Sequence, residues 1–192
     1  TATADAAGNV IDTGANAVVT GANVQGGSVN AAGTADLTAT VGNVDGIVVL
    51  AGGAVTALAE QSVTGASFTS TGSLVSVTAT QGSVTATDVN AFDTATVWAN
   101  IDIVDGSVTA LGDATLTAYT GEINGTTVQT DAAATLWAAQ DLTGTSVDAT
   151  NAYLTAGWDL TGNAVDAVEA AVLTATQDVT GNEVDALTIV VA

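Results

Sequence analysis

The chain repeats one phrase at a nearly fixed interval. LTAGWDLTGNAVDAV, residues 154–168, returns nineteen residues later as LTATQDVTGNEVDAL, residues 173–187. A period of about 20 residues is typical of solenoids, in which one unit cannot bury its apolar face alone and must stack on its neighbours. This repeat constrains the fold more strongly than any other property of the sequence.

Three apolar columns recur together along the chain. The first column opens each phrase and contains Leu37, Val55, Val77, Val97, Leu116, Leu136, Leu154 and Leu173. The second contains Val24, Val44, Val63, Val84, Ile103, Ile123, Leu142, Leu160 and Val179. The third follows five residues behind the second and contains Val29, Val49, Phe68, Val89, Val108, Val128, Val147, Val165 and Val184.

Within each unit the apolar residues alternate with polar ones at a period of two, as Leu173 and Ala175 alternate with Thr174 and Thr176. This period is typical of a strand, not of a helix. Glycine recurs two residues after the second column, where a corner needs permissive backbone angles; the members are Gly46, Gly65, Gly125, Gly144, Gly162 and Gly181. The pattern predicts an all-β, single-domain parallel β-solenoid of about nine to ten coils with a period of about 19–20 residues.

The repeat divides the chain into two parts. Residues 18–192 follow the period and are predicted to form the solenoid domain. Residues 1–17 fit it poorly and are predicted to be an irregular first coil, an N-terminal cap or a contact segment. Stacking at about 4.8 Å per coil would give a rod on the order of 45–50 Å long.

Composition excludes several classes of function. The sequence has no Lys, Arg, His, Cys, Met or Pro, and its 20 Asp and Glu residues give a net charge of −20. Binding to nucleic acid or to an anionic membrane needs cationic side chains, so neither partner is expected. No apolar run reaches membrane-spanning length, so no insertion is expected. Ser and Thr have no His or Lys to activate them, and an enzyme is not expected.

The phrases LTATQDVTG, LTAGWDLTG and LWAAQDLTG, each followed by VDA or a close variant, resemble the repeats of filamentous haemagglutinin-type adhesins. The likeness covers the chain from about residue 18 onward. That family consists of large secreted proteins that form right-handed parallel β-helices. The resemblance therefore implies a right-handed sense for this solenoid and an extracellular or cell-surface location.

Carboxylates form two columns of their own. Five lie just before the second apolar column, at Asp102, Glu122, Asp141, Asp159 and Asp178, and three lie just after the third, at Asp148, Asp166 and Asp185. Like charges about 4.8 Å apart repel, and no cationic side chain offsets them. One interpretation is that Ca²⁺ bridges neighbouring coils, since it prefers oxygen ligands. The alternative is a solvated acidic face that needs no cofactor, and the absence of a recognisable calcium loop favours it.

The outward positions of the first strand carry a threonine column with two tryptophans. It reads Thr38, Thr56, Thr78, Trp98, Thr117, Trp137, Thr155 and Thr174, with Tyr119 beside it. Regular Thr pairs on a flat face resemble ice-binding surfaces, although the large rings interrupt them. Outward aromatics also mark glycan platforms or lateral packing interfaces. A further interpretation is that each ring only covers its neighbouring threonine.

Open strand edges without Lys or Pro invite a further strand. The segment LTIVVA, residues 187–192, is apolar and has no polar cap, which favours either a polymer contact or a cut within a longer array. No signal-peptide pattern is present, so we expect any secretion signal to have been removed or to lie outside this segment. We therefore expect a homopolymer, built head to tail and also laterally, that serves as an extracellular filament, sheath or adhesin stalk. A glycan- or ice-binding module is the alternative.

Overall fold

The computed structural model describes residues 4–192, and every regular element in that range is a strand. The strands belong to three columns, here named A, B and C, which correspond to the first, second and third apolar columns of the sequence. Strands that belong to A alone are Ala17–Gly21, Ala35–Ala39, Val55–Ala59, Val75–Ala79, Ala95–Ala99, Ala114–Ala118 and Ala133–Ala138. Strands of B alone are Ala6–Ala7, Val24–Gln25, Val44–Asp45, Val63–Thr64, Ile123–Asn124, Leu142–Thr143, Leu160–Thr161 and Val179–Thr180. Strands of C alone are Val10–Thr13, Ser28–Ala31, Val48–Ala51, Ser67–Ser70 and Thr127–Thr130.

Longer strands turn a corner and serve two columns. Val84–Ala91 and Ile103–Ala110 join B to C, whereas Ser146–Ala156, Ala164–Ala175 and Glu183–Val191 join C to A. The last three adjoin one another, and their pairing shifts register next to Ala149 and Ala167. In the last coils the strand therefore continues through the corner between C and A, whereas in the other coils it ends there.

Each strand pairs in parallel with its equivalents in the coils before and after it. Leu116, Leu136, Leu154 and Leu173 follow one another in register through three successive pairings. Parallel neighbours need a crossover, and here the crossover consists of the strands of the other two columns. The chain is thus a parallel β-solenoid of about ten coils with a period of about 19 residues, as the sequence predicts.

The core is a continuous stack of small and branched apolar side chains. Inward residues of the A strands are buried, and all members of columns B and C from Val24 to Val165 are at most 3 % exposed. Of the seven aromatic residues in the sequence, Phe68 alone lies in this core. The narrow interior explains why Ala, Val and Leu supply most of the apolar content.

One coil has a different register from the one that the sequence indicates. Ala57, not Val55, pairs with Leu37 and Val77, and Thr56 pairs with Ser76 instead of joining the column of Thr38. In VTALA, residues 55–59, Val55, Ala57 and Ala59 are all apolar and lie at alternate positions. Either Val55 or Ala57 could therefore have been aligned with the column. The observed choice spaces the column evenly, by 20 residues on either side of Ala57. Phe68 follows in column C of the same coil and is fully buried.

The corner between B and C requires a left-handed backbone. The glycines predicted there all have φ between 58° and 65°. Two coils place other residues at this corner, and Ala86 adopts φ 48° and Asp105 φ 53°. A side chain in this region costs about 1–2 kcal/mol, so these two corners are strained.

The described part of the N-terminal segment follows the same repeat. Ala6–Ala7 pairs with Val24–Gln25, and Val10–Thr13 pairs with Ser28–Ala31. Residues 1–3 of that segment lie outside the described residues. The rest of the segment, predicted as an irregular first coil, therefore contains strands in register.

Across residues 4–192 the fold offers no helix with the length and apolarity needed to cross a bilayer.

Candidate functional site

The first acidic column lies at the corner that leads into the B strands and contains more than acids. We call it the corner column; its members directly precede the B strands and are Asp5, Asn23, Asn43, Ser62, Ser83, Asp102, Glu122, Asp141, Asp159 and Asp178. The structure thus brings the five predicted acids into one line. Most members are half-buried, and all carry a side-chain oxygen.

These oxygens hold one coil to the next. The backbone N–H of Asn43 donates to Asn23 Oδ1 at 2.9 Å, and that of Glu122 donates to Asp102 Oδ1 at 2.9 Å. The same bond recurs at eight of the nine steps of the column, including Asp159 N to Asp141 Oδ1 at 3.1 Å and Asp178 N to Asp159 Oδ1 at 3.1 Å. Among the described residues, the step without it follows Glu122, whose side chain is the longest in the column.

The position therefore requires an acceptor oxygen, and charge is incidental. Asn, Ser and Asp serve equally, whereas a search for carboxylates finds only six of the ten members of the column. Gly42, Gly82 and Gly121 lie against this line, and an added Cβ would overlap Asn23 Oδ1, Ser62 Oγ and Asp102 Oδ1 respectively. The local packing is thus built around the acceptors.

A second polar column is buried at the B-to-C corner of the last coils. Asn163 is 1 % exposed, and its Oδ1 accepts from Thr145 N at 2.9 Å while its Nδ2 donates to Leu142 O at 2.9 Å. Asn182 accepts from both nitrogens of Asn163, each at 2.9 Å. The sequence analysis missed these residues, although the repeated TGN is their signal.

The second acidic column is exposed. Asp148, Asp166 and Asp185 pair with one another in register on the C strands, next to Gln129. Glu183, which the sequence analysis did not select, joins them at the edge of a shallow depression. These carboxylates point into solvent, so water and salt screen their repulsion.

Neither column forms a metal centre from three or more clustered ligands. No group of at least three His, Cys, Asp or Glu side chains suited to a metal occurs in the part of the chain that is described. Calcium takes six to eight oxygens, whereas the corner column offers one side chain per coil, with one oxygen already accepting a backbone N–H. The residues present do not fit a dedicated calcium site, and the calcium interpretation stays a prediction.

The tryptophans and threonines predicted on the outer face do share one column. Trp98, Thr117, Trp137, Thr155 and Thr174 pair in register through five successive coils. Leu58 occupies the place that the sequence analysis gave to Thr56. The threonine column is therefore broken by one leucine as well as by two indoles.

Tyr119 completes an aromatic strip on this face. Its ring centroid lies 6.1 Å from that of Trp98 and 6.5 Å from that of Trp137, with interplanar angles of 34° and 41°. Thr117 separates the two indoles in the register, and the tyrosine ring spans that gap. Exposed Tyr153 and Trp158 lie on later coils and were not selected from the sequence.

Comparison with protein-family models, with curated proteins and with solved structures finds no match to this chain. The structure alone shows a β-helix repeat protein.

Proposed function

We propose that this chain is a structural rod of an extracellular filament, sheath or adhesin stalk, and that it extends by end-to-end stacking of coils. The observation that carries the proposal is the continuous parallel pairing of the A, B and C strands from coil to coil through about ten coils. Such a rod adds length without changing its cross-section. The likeness of its repeats to haemagglutinin-type adhesins supports the extracellular setting and the right-handed sense.

The last coil of this chain presents an edge that suits such stacking. Ile189 and Val191 occupy the positions of buried Ala171 and Leu173 in the preceding coil, yet they are 50 % and 58 % exposed. A coil of matching cross-section from a second copy would cover these side chains and pair their backbone. Burial of apolar area contributes about 25 cal/mol per Å², which favours the stacked state.

The corner column gives the stacking a direction. Its bonds all run the same way, from a backbone N–H to the side-chain oxygen of the preceding coil. Under this proposal Asp178, in the last coil, accepts in the same manner from the first coil of a second copy. Head-to-tail contact continues this line of bonds, whereas head-to-head contact would not.

The test uses the chain as it exists, imaged by electron microscopy and sized by sedimentation with calcium and again with chelator. We expect rods longer than the roughly 45–50 Å of one copy. Val191→Lys should abolish them by placing an ammonium in the stacked core. Leu187→Lys adds the same charge at a side chain that is 85 % exposed and should leave the rods intact.

Single-length rods at high protein concentration under all ionic conditions would contradict end-to-end assembly. Equal assembly by the Val191→Lys variant would contradict the role of this edge. Rods that form with calcium and separate with chelator would restore the calcium interpretation of the acidic columns.

A further inference from the structure

The aromatic strip, defined as Trp98, Tyr119 and Trp137, is distinct from the edges used for stacking. Trp98 and Trp137 occupy outward positions of two A strands, and Tyr119 directly follows the A strand between them, so the strip runs along the rod axis. Its first and last rings are two coil steps apart, a distance of about 10 Å along the rod axis. The strip is therefore long and narrow, the shape of a site for an extended ligand.

The rings lie at the surface because the two indoles occupy outward positions of their strands and Tyr119 follows the end of its strand. The inward positions of these three strands carry only Ala, Val and Leu, all at most 2 % exposed. Tyr119 remains 58 % exposed and Trp137 37 % exposed, although the rings pack against each other. Their contacts with one another fix their orientation while leaving apolar surface open to a ligand.

Hydroxyl groups line the strip. Thr96, Thr115 and Thr135 pair in register as the neighbouring outward column, and Thr117 lies between the indoles. The outward positions of these strands thus carry four Thr, two Trp and one Ala, with no charged residue. Apolar rings beside neutral hydroxyls match a ligand that has both C–H faces and hydroxyl groups.

Charge narrows the class of ligand. The chain has a net charge of −20 and no cationic side chain, so it repels anionic polymers and offers them no counter-charge. The same repulsion opposes lateral pairing of two copies through this face. A cationic group would be held best between rings that enclose it, whereas these three rings form an open row tilted by only 34° and 41°.

We propose that the aromatic strip binds a neutral polysaccharide laid along the rod axis. The sugar rings stack on Trp98, Tyr119 and Trp137, and the flanking threonine hydroxyls hydrogen-bond to sugar hydroxyls. This binding is independent of end-to-end assembly, because the strip and the stacking edge share no residue.

The experiment measures depletion of the full chain from solution by insoluble cellulose, chitin and starch, with alginate and polylysine matrices as charged comparisons. We expect retention on at least one neutral polysaccharide and none on alginate. The double variant Trp98→Thr/Trp137→Thr should lower this affinity at least tenfold, because it removes two of the three stacking rings. Threonine already occupies the neighbouring places in the column, so the variant should keep the fold. Trp158→Thr removes an exposed indole elsewhere and should bind as the parent does; circular dichroism checks that each variant folds.

Three results would overturn the proposal. These are failure to bind any of the three neutral polysaccharides, equal binding by the double variant, and retention on polylysine alone. If sedimentation shows that the double variant loses lateral self-association while no polysaccharide binds, the strip is an interface between copies and not a glycan site.

Discussion

Two neighbouring coils carry almost the same phrase but bury it to very different extents. In the coil that begins at Leu160, Leu160 of column B is 0 % exposed and Val165 of column C is 3 % exposed. In the coil that begins at Val179, the equivalent Val179 and Val184 are only half-buried. Leu173 and Val191 differ more, at 1 % and 58 %.

The difference teaches that burial in this fold comes from neighbours and not from the repeat itself. Both coils form equivalent strands that pair with each other in parallel, so the local pattern is sufficient for strand formation. Only the coil with neighbours on both sides removes its apolar residues from water. Stability should therefore follow the number of stacked neighbours, as in a one-dimensional array.

The largest expected difference lies between two leucines that differ in burial. Leu136→Ala removes a fully buried side chain from a central coil, and we expect the free energy of unfolding to fall by about 2–5 kcal/mol because a cavity remains. Leu187→Ala makes the same chemical change at a residue that is 85 % exposed and should alter it by less than about 0.5 kcal/mol. Denaturant titration followed by circular dichroism measures both. Similar losses in the two variants would contradict the difference in burial between these two side chains.

Asn163 and Asn182 at the B-to-C corner should show the same contrast, with a smaller difference in the free energy of unfolding. Asn163→Ala leaves Thr145 N–H and Leu142 C=O without their side-chain partner. We expect a loss of about 2–3 kcal/mol, because buried polar groups that lose their partners are costly. Asn182→Ala changes the half-buried equivalent in the last coil and should cost about 1 kcal/mol. Thermal unfolding of both variants tests this order, and a larger loss for Asn182 would contradict it.

The sequence was sufficient to predict the fold but only part of the chemistry on its surface. The period of three apolar columns specifies a stacked β architecture, because no other arrangement buries all three at once. It could not specify the register of VTALA, where Val55 and Ala57 are both plausible inward residues. The observed register keeps the column spaced by 20 residues on either side of Ala57.

The candidate sites were predicted where one residue type repeats and missed where several types share a role. The aromatic strip and the exposed acids were found because Trp and Asp stand out from their neighbours. The corner column was only half recognised, since its common property is an acceptor oxygen that Asn23, Ser62 and Asp102 each supply. Such a role is defined by a backbone N–H in another coil, which the sequence does not display.

The B-to-C corners provide a comparison in which neighbouring coils should not matter. Gly65→Ala places a side chain at φ 58° with nothing within 4 Å of the added Cβ, so only backbone strain acts. We expect a loss of about 1 kcal/mol. Ala86→Gly relieves the same strain at φ 48°. The greater entropy of glycine in the unfolded chain offsets part of this gain, so we expect the protein to be stabilised by about 0.5 kcal/mol. Thermal unfolding measures both signs; destabilisation by Ala86→Gly would show that this corner is not strained.

The smallest effect should come from the exposed acids of the last coils. Asp166 stands between Asp148 and Asp185 in register, so Asp166→Asn removes two repulsions at a spacing of about 4.8 Å. We expect the melting temperature to rise by about one degree in dilute buffer. The gain should vanish in molar salt, where the screening length falls to about 3 Å. Asp36→Asn is the matched control, because Asp36 pairs with uncharged Val18 and Thr56 and lacks acidic neighbours in its column. An equal rise in the control would assign the effect to net charge, whereas a fall for Asp166→Asn would show that this carboxylate is held by a bound cation.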